Sequence, residues 1–186
     1  GVSTYWGEKV GEGGYVYAEP GYYENVALLD VASMHPTSIE ELNLFGTEFT
    51  QKFSDLKAAR MAIKSNDFEY ASRVLDGKLG PFLEDTSDAK MLSDALKIVI
   101  NSVYGLTNAS FDNAFRDPRN KDNIVAKRGA LFMIDLKRAC QERGLTVAHI
   151  KTDSIKIPNC TPDDIAFITE FGKKYGYDLS LIHISE

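Results

Sequence analysis

Lys97-Ile98-Val99-Ile100-Asn101-Ser102-Val103-Tyr104-Gly105 places a cation, an amide and a phenol at i, i+4 and i+7. On a helix those three side chains share one face. A lysine, an asparagine and a tyrosine stacked in this way, with Gly105 ending the run, suit a surface that holds a triphosphate and stacks a base. The same spacing also describes a solvated helix stripe, so the rest of the chain has to separate the two readings.

Working outward, Ser87 to Tyr104 keeps helical periodicity through Met91, Leu92, Leu96 and Val99. From about Thr50 to Asn66, the spacing of Phe53, Leu56 and Ile63 predicts an amphipathic helix, with Lys57, Arg60 and Lys64 as a basic stripe at i, i+3 and i+7. Gly77, Gly80 and Pro81 mark a turn-prone stretch between them, and two antiparallel helices are the economical arrangement. Residues 105–123 are polar, with a turn signal at Asp117-Pro118-Arg119-Asn120. Ile124 to Arg143 predicts a third helix, stopped by Gly144. From Arg116 to Arg138, Arg119, Lys121, Lys127, Arg128 and Lys137 stand against Asp117, Asp122 and Asp135.

Around this helical core the pattern is that of strands. Residues 7–22 are rich in glycine and aromatics and end in Glu19-Pro20-Gly21, a loop or short hairpin. Val26-Ala27-Leu28-Leu29-Asp30 reads as a buried strand with a carboxylate at its tip, broken near Pro36, where a helical turn can follow. Leu145, Val147 and His149, then Asp153, Ile155 and Ile157, alternate as a hairpin with Asp153 near the turn and Pro158 closing it. The fold class expected is α+β, an antiparallel sheet with a packed helix, interrupted by a helical hairpin.

A chain of 186 residues, 44% hydrophobic and 26% charged, has the composition of a globular domain with a real core. No apolar run approaches a membrane span, and Gly-Val-Ser-Thr-Tyr-Trp at the start lacks a basic flank and an apolar signal core; the expected setting is cytoplasmic, with no membrane partner. Cys140 and Cys160 have neither disulfide-framework nor zinc-site spacing. The formal net charge of −6 argues against a simple nucleic-acid-binding module but not against an enzyme that meets nucleic acid through metal ions.

Asp30 and Asp153 are far apart in sequence, yet both sit at ends of predicted strands that can be neighbours in one sheet. Two such carboxylates can hold a pair of magnesium ions, the arrangement that nucleotidyl transfer uses. Hard oxygen ligands favour magnesium, with manganese as an alternative. Strand-end aspartates facing water are the other reading.

Taken together, these segments resemble family B DNA polymerases, most closely those of phage type. Lys-x-x-x-Asn-Ser-x-Tyr-Gly at 97–105 matches their motif B in every fixed position, Asp-x-x-Ser-x-x-Pro at 30–36 resembles motif A, and Thr152-Asp153-Ser154 resembles the second half of motif C. The resemblance, which runs from about Gly13 to Asp178, implies a template-directed polymerase that adds dNTPs to a primer 3′ end on primer-template DNA. It implies a lead-in segment at 1–25, palm at 26–48 and 109–178, and fingers at 49–108. By the same resemblance, Asp30, Asp153 and the Val31 carbonyl are metal ligands, and Arg60, Lys64, Lys97 and Asn101 grip the triphosphate. Tyr104 packs on the nascent base pair and His35 lies under the sugar. Gly13 and Gly14 touch template, Lys127 and Arg128 lie near the DNA backbone, and exonuclease and thumb regions belong to a longer parent chain.

Four features depart from the family pattern. His35 stands where motif A usually has tyrosine, and Gly11 where a tyrosine usually precedes the two glycines. Lys151 replaces the first aspartate of motif C. Residues 179–186, Leu-Ser-Leu-Ile-His-Ile-Ser-Glu, break the resemblance and match the translation of a transposase mosaic-end adapter used in sequencing libraries, so they are read as foreign to the natural chain. Two rival functions remain: another palm-type polymerase that reads or makes RNA, and a catalytically inactive nucleic-acid-binding fragment.

Overall fold

The computed structural model of the chain describes residues 3–11, 13–107 and 123–185. The turn read at 117–120 and the charges Arg116, Asp117, Arg119, Lys121 and Asp122 lie outside the described residues. The strands are β1 (Ser3–Tyr5), β2 (Glu8–Val10), β3 (Val16–Ala18), β4 (Val26–Val31), β5 (His149–Lys151), β6 (Ser154–Pro158) and β7 (Leu179–Ser185). The α-helices are α1 (Met34–Leu42), α2 (Gly46–Lys64), α3 (Phe68–Arg73), α4 (Thr86–Thr107), α5 (Ile124–Glu142) and α6 (Pro162–Lys173). They divide into two units, Gly1–Ser38 with Lys121–Glu186, and Ile39–Asn120.

The first unit is built on a five-stranded antiparallel sheet in the order β3-β5-β6-β4-β7. Side chains alternate across a strand, so the register fixes which residues share a face. Leu29 pairs with Ile155, and Ile155 with Ile150; all three are fully buried. One position along, Asp30 pairs with Ser154, and Ser154 with Lys151, on the opposite face. Phe132, Met133, Leu136 and Cys140 of α5, and Ile168 of α6, join the apolar face in one core. Phe132 anchors an aromatic group, its ring centroid 4.6 Å from that of Tyr177 and 5.2 Å from that of Tyr175.

Where a loop or hairpin was expected over 7–22, the hairpin is β1–β2 and starts earlier, at Ser3. Tyr5 Oη donates to Asp135 on α5 at 2.7 Å, and Arg138 lies over the Trp6 ring at 3.7 Å. Lys137, the one α5 cation that is buried, donates to Glu8 at 2.6 Å and to the Tyr15 hydroxyl at 2.8 Å. Tyr15 in turn donates to Glu8. The Tyr15 hydroxyl is held far above its ordinary pKa, first by burial and then by the Glu8 carboxylate, so it stays a donor.

The second unit pairs α2 with α4 as the periodicity predicted, burying Ala59, Ala62 and Ile63 against Ala89 and Leu96. α4 does not stop at Gly105; it runs two residues further, to Thr107. An interior glycine costs a helix only about 1 kcal/mol, less than packing along a helix of this length can supply. α3 and α6 are elements the periodicity did not single out. α6 nevertheless has a full start signal: Thr161 Oγ1 accepts from the Asp164 amide, Asp164 accepts from the Thr161 amide, and Pro162 takes the first helical position. The segment 179–185, read as foreign, forms β7 along the outer edge of β4.

Asp164 also accepts from Arg143 Nε at 2.7 Å. That ion pair first, and the hydrogen bond from the Thr161 amide next, hold its carboxyl below the ordinary carboxylate range. The native state therefore favours the ionised form, and the stability it contributes is present above the unfolded pKa of about 4 and lost as pH falls through the lower native value. Asp164→Asn should be less stable than wild type at about pH 6 by urea denaturation, and the gap should narrow as pH falls below about 4; a gap that stays constant on acidification contradicts the pairing.

Candidate functional site

The end of β4 and the β5–β6 turn meet at one corner of the sheet. Asp30 is the next-to-last residue of β4 and faces away from the core, half-buried. Asp153 lies in the two-residue turn between Lys151 and Ser154 and is exposed. Two backbone bonds fix the turn: the Val31 amide donates to the Asp153 carbonyl at 2.8 Å, and the Thr152 amide donates to the Tyr15 carbonyl at 2.9 Å. The Asp30 carboxyl is raised above its usual range, first by burial and then by the negative charge of Asp153, with His183 of β7 pulling the other way. The two carboxylates predicted from sequence are thus electrostatic neighbours.

Among the described residues, no group of three or more His, Cys, Asp and Glu side chains converges as a metal site. What stands here is a pair of carboxylates, one of them destabilised by burial and by the other's charge. A hard divalent cation relieves that repulsion, so the donor chemistry fits magnesium better than a soft metal. The Val31 side chain is buried in the core, which leaves only its backbone for a ligand role. Lys151 occupies the position across Ser154 from Asp30, on the same face of the sheet and exposed.

His35, second residue of α1, is half-buried, and burial lowers its pKa against the opposing pull of Asp153. A neutral ring follows at neutral pH. Gly13 has φ +128° with open space around it, whereas Gly14 is in tight contact with Thr152. On α5, Lys127 donates to Ser3 Oγ at 3.1 Å, while Arg128 donates to the Tyr175 carbonyl at 2.8 Å and lies over the Tyr177 ring. The Arg128 guanidinium is thus already engaged in packing.

In the helical unit, Arg60 and Lys64 line a groove between α2 and α4 whose other wall includes Lys90, Ser93 and Asp94. Lys57, the third member of the predicted stripe, pairs with Glu40 at 2.7 Å instead. Lys97 and Asn101 follow Ser93 at helical spacing and are exposed. Tyr104 is partly buried, and burial raises its hydroxyl pKa. Lys90 joins Arg60 and Lys64 without having been singled out; its position one heptad before Lys97 was the available signal.

No family model and no curated protein sequence matches the chain. Among solved structures it is similar to the family B DNA polymerase from the hyperthermophilic archaeon Pyrobaculum calidifontis, with a TM-score of 0.57 and 14% identity. The match covers 96% of this chain and 27% of that one, so the chain spans about a quarter of that protein's length. At this identity the likeness is one of fold: a mixed α+β, polymerase-like arrangement with antiparallel sheets.

Proposed function

We propose that the chain is the palm and fingers part of a phage-type family B DNA polymerase, carrying out template-directed transfer of dNTPs to a primer 3′ end. The observation that supports this most is the corner where Asp153 is tied by its backbone to β4, beside an Asp30 carboxyl whose pKa is raised by burial first and by the Asp153 charge second. That corner sits in a fold shared with a polymerase, and motif B stands intact on α4.

In this reading Asp30, Asp153 and the Val31 carbonyl would hold two magnesium ions. The chemistry magnesium supplies when bound is activation of the primer hydroxyl and neutralisation of the leaving group's charge. Arg60, Lys64, Lys97 and Asn101 bind and orient the triphosphate, which supplies positional advantage as well as charge. Tyr104 packs on the nascent base and His35 lies under the sugar; Gly13, Gly14 and Lys127 contact primer-template DNA, whereas Arg128 is engaged by the Tyr175 carbonyl and the Tyr177 ring. The exonuclease and thumb would lie elsewhere in a longer parent chain, and residues 179–186 would be absent from it. The alternative, an inactive nucleic-acid-binding fragment, draws support from Lys151 on the face it shares with Asp30.

Primer extension by the natural reading frame that contains residues 1–178, with deoxy- and ribonucleotides in parallel, separates the two. Magnesium-dependent extension is expected, reduced about a thousand-fold or more in Asp153→Ala; DNA binding with no extension would favour the inactive fragment. Lys151→Asp removes a cation and adds a carboxylate beside the metals. It should lower the half-saturating magnesium concentration by about three- to thirty-fold, and an unchanged requirement would remove Lys151 from the metal site. His35→Ala opens the sugar pocket, and ribonucleotide incorporation relative to deoxyribonucleotide should rise about ten-fold or more, read from paired single-nucleotide additions.

A further inference from the structure

We propose that Gly14 is a positioning residue for the turn that bears Asp153: its bare Cα is the seat on which Thr152 rests, and any side chain there displaces the turn. The proposal rests on the reading of Asp153 as a metal ligand.

A Cβ added to Gly14 would lie 2.0 Å from Thr152 Oγ1 and 2.7 Å from both Thr152 Cβ and Cγ2. Rotation about χ1 could move Oγ1 and Cγ2, but Cβ is fixed to the backbone, so relief requires the turn itself to shift. Gly13, next in line, has φ +128° and nothing near its Cβ position. The two adjacent glycines therefore serve different needs, a backbone conformation at Gly13 and empty space at Gly14.

The segment carrying Gly14 has little room to retreat. Tyr15 is 5% exposed and its hydroxyl is held by Glu8 and Lys137. Val16 is in register with Lys151, and the Thr152 amide donates to the Tyr15 carbonyl. On its far side the turn is tied to β4 through the Asp153 carbonyl and the Val31 amide, one residue beyond Asp30. A displacement at Thr152 is thus a displacement of Asp153 relative to Asp30. Thr152 itself takes φ +53°, a conformation unusual for a β-branched residue that persists only when its surroundings enforce it.

The reciprocal exchange of space tests this. Gly14→Ala, Thr152→Gly and the double variant should be compared for extension rate at saturating primer-template and dNTP, primer-template Kd, melting temperature and Val31 amide exchange. Gly14→Ala should lower the rate at saturating primer-template about a hundred-fold, the scale of a 1 Å misplacement at a reacting centre, and speed Val31 exchange, whatever it does to the primer-template Kd. Thr152→Gly removes all three clashing atoms and tolerates a positive φ, so the double variant should recover most of the rate and the slow exchange. If Gly14→Ala does not fold, recovery of the melting transition in the double variant supports the proposal equally. A double variant as impaired as Gly14→Ala, or a Gly14→Ala defect lying wholly in DNA affinity, would overturn it. Should the wild-type reading frame extend no primer, the polymerase reading fails by itself. Val31 exchange still decides the seat: rescue in the double variant upholds it, and absence of rescue overturns it.

Discussion

The β5–β6 turn is the constraint on which the first unit depends. It is two residues long, and each has a backbone bond to a different strand: Thr152 to Tyr15 ahead of β3, and Asp153 to Val31 at the end of β4. A turn of that length sets the register of its hairpin, and a slip of one residue would exchange the two faces of the sheet. The burial of Leu29, Ile155 and Ile150 on one side and the presentation of Asp30 and Lys151 on the other are therefore a single decision. The core enforces the geometry of the carboxylate pair because turning Asp30 to the other face would bring the fully buried Leu29 into water, and slipping the hairpin that carries Asp153 would do the same to Ile150 or Ile155.

Charge in this chain is better understood by position than by sum. The net charge is −6, which taken alone disfavours contact with a polyanion. Several cations are used inside the fold: Lys137 on Glu8 and Tyr15, Arg143 on Asp164, Lys57 on Glu40, Arg128 on the Tyr175 carbonyl. Lys64, Lys90 and Lys97 on the helical unit are exposed, and Arg60 opens on the same groove as Lys64 and Lys90. The Lys137 pair is a different kind of object. A buried ion pair adds little net stability once desolvation is counted, but it is directional, and here it fixes the β1–β2 hairpin and Tyr15 against α5.

Much of this was legible in the sequence because local rules governed it. α2, α4 and α5 announced themselves by apolar spacing, and the hairpin by alternation around Asp153. Thr161-Pro162-Asp163-Asp164 carried the start of α6 in plain capping chemistry, yet it follows so closely on a strand that the strand signal obscured it. Gly105 misled because a glycine stop is a tendency that a packed helix overrides. The candidate site divides the same way: strand-end position pointed to Asp30 and Asp153, and helical spacing to the stripe Lys57, Arg60 and Lys64. The pairing of Lys57 with Glu40, the burial of Lys137 and the contact of Gly14 with Thr152 depend on tertiary neighbours that no local spacing encodes.

The edge of the sheet illustrates the distinction most sharply. β7 runs antiparallel to β4 with an irregularity between Leu28 and Leu29, and only its first residue is buried. Leu179 is 2% exposed and closes on Gly172, where a Cβ would come within 2.3 Å of its Cδ1. From Ser180 onward every described side chain is exposed, including Leu181, Ile182 and Ile184. Those residues are joined to β4 by backbone pairing, which an unpaired strand edge offers to any extended segment irrespective of its sequence. Strand formation over 179–185 therefore says nothing about the origin of that segment. What the core requires of this segment is a buried apolar side chain at Leu179.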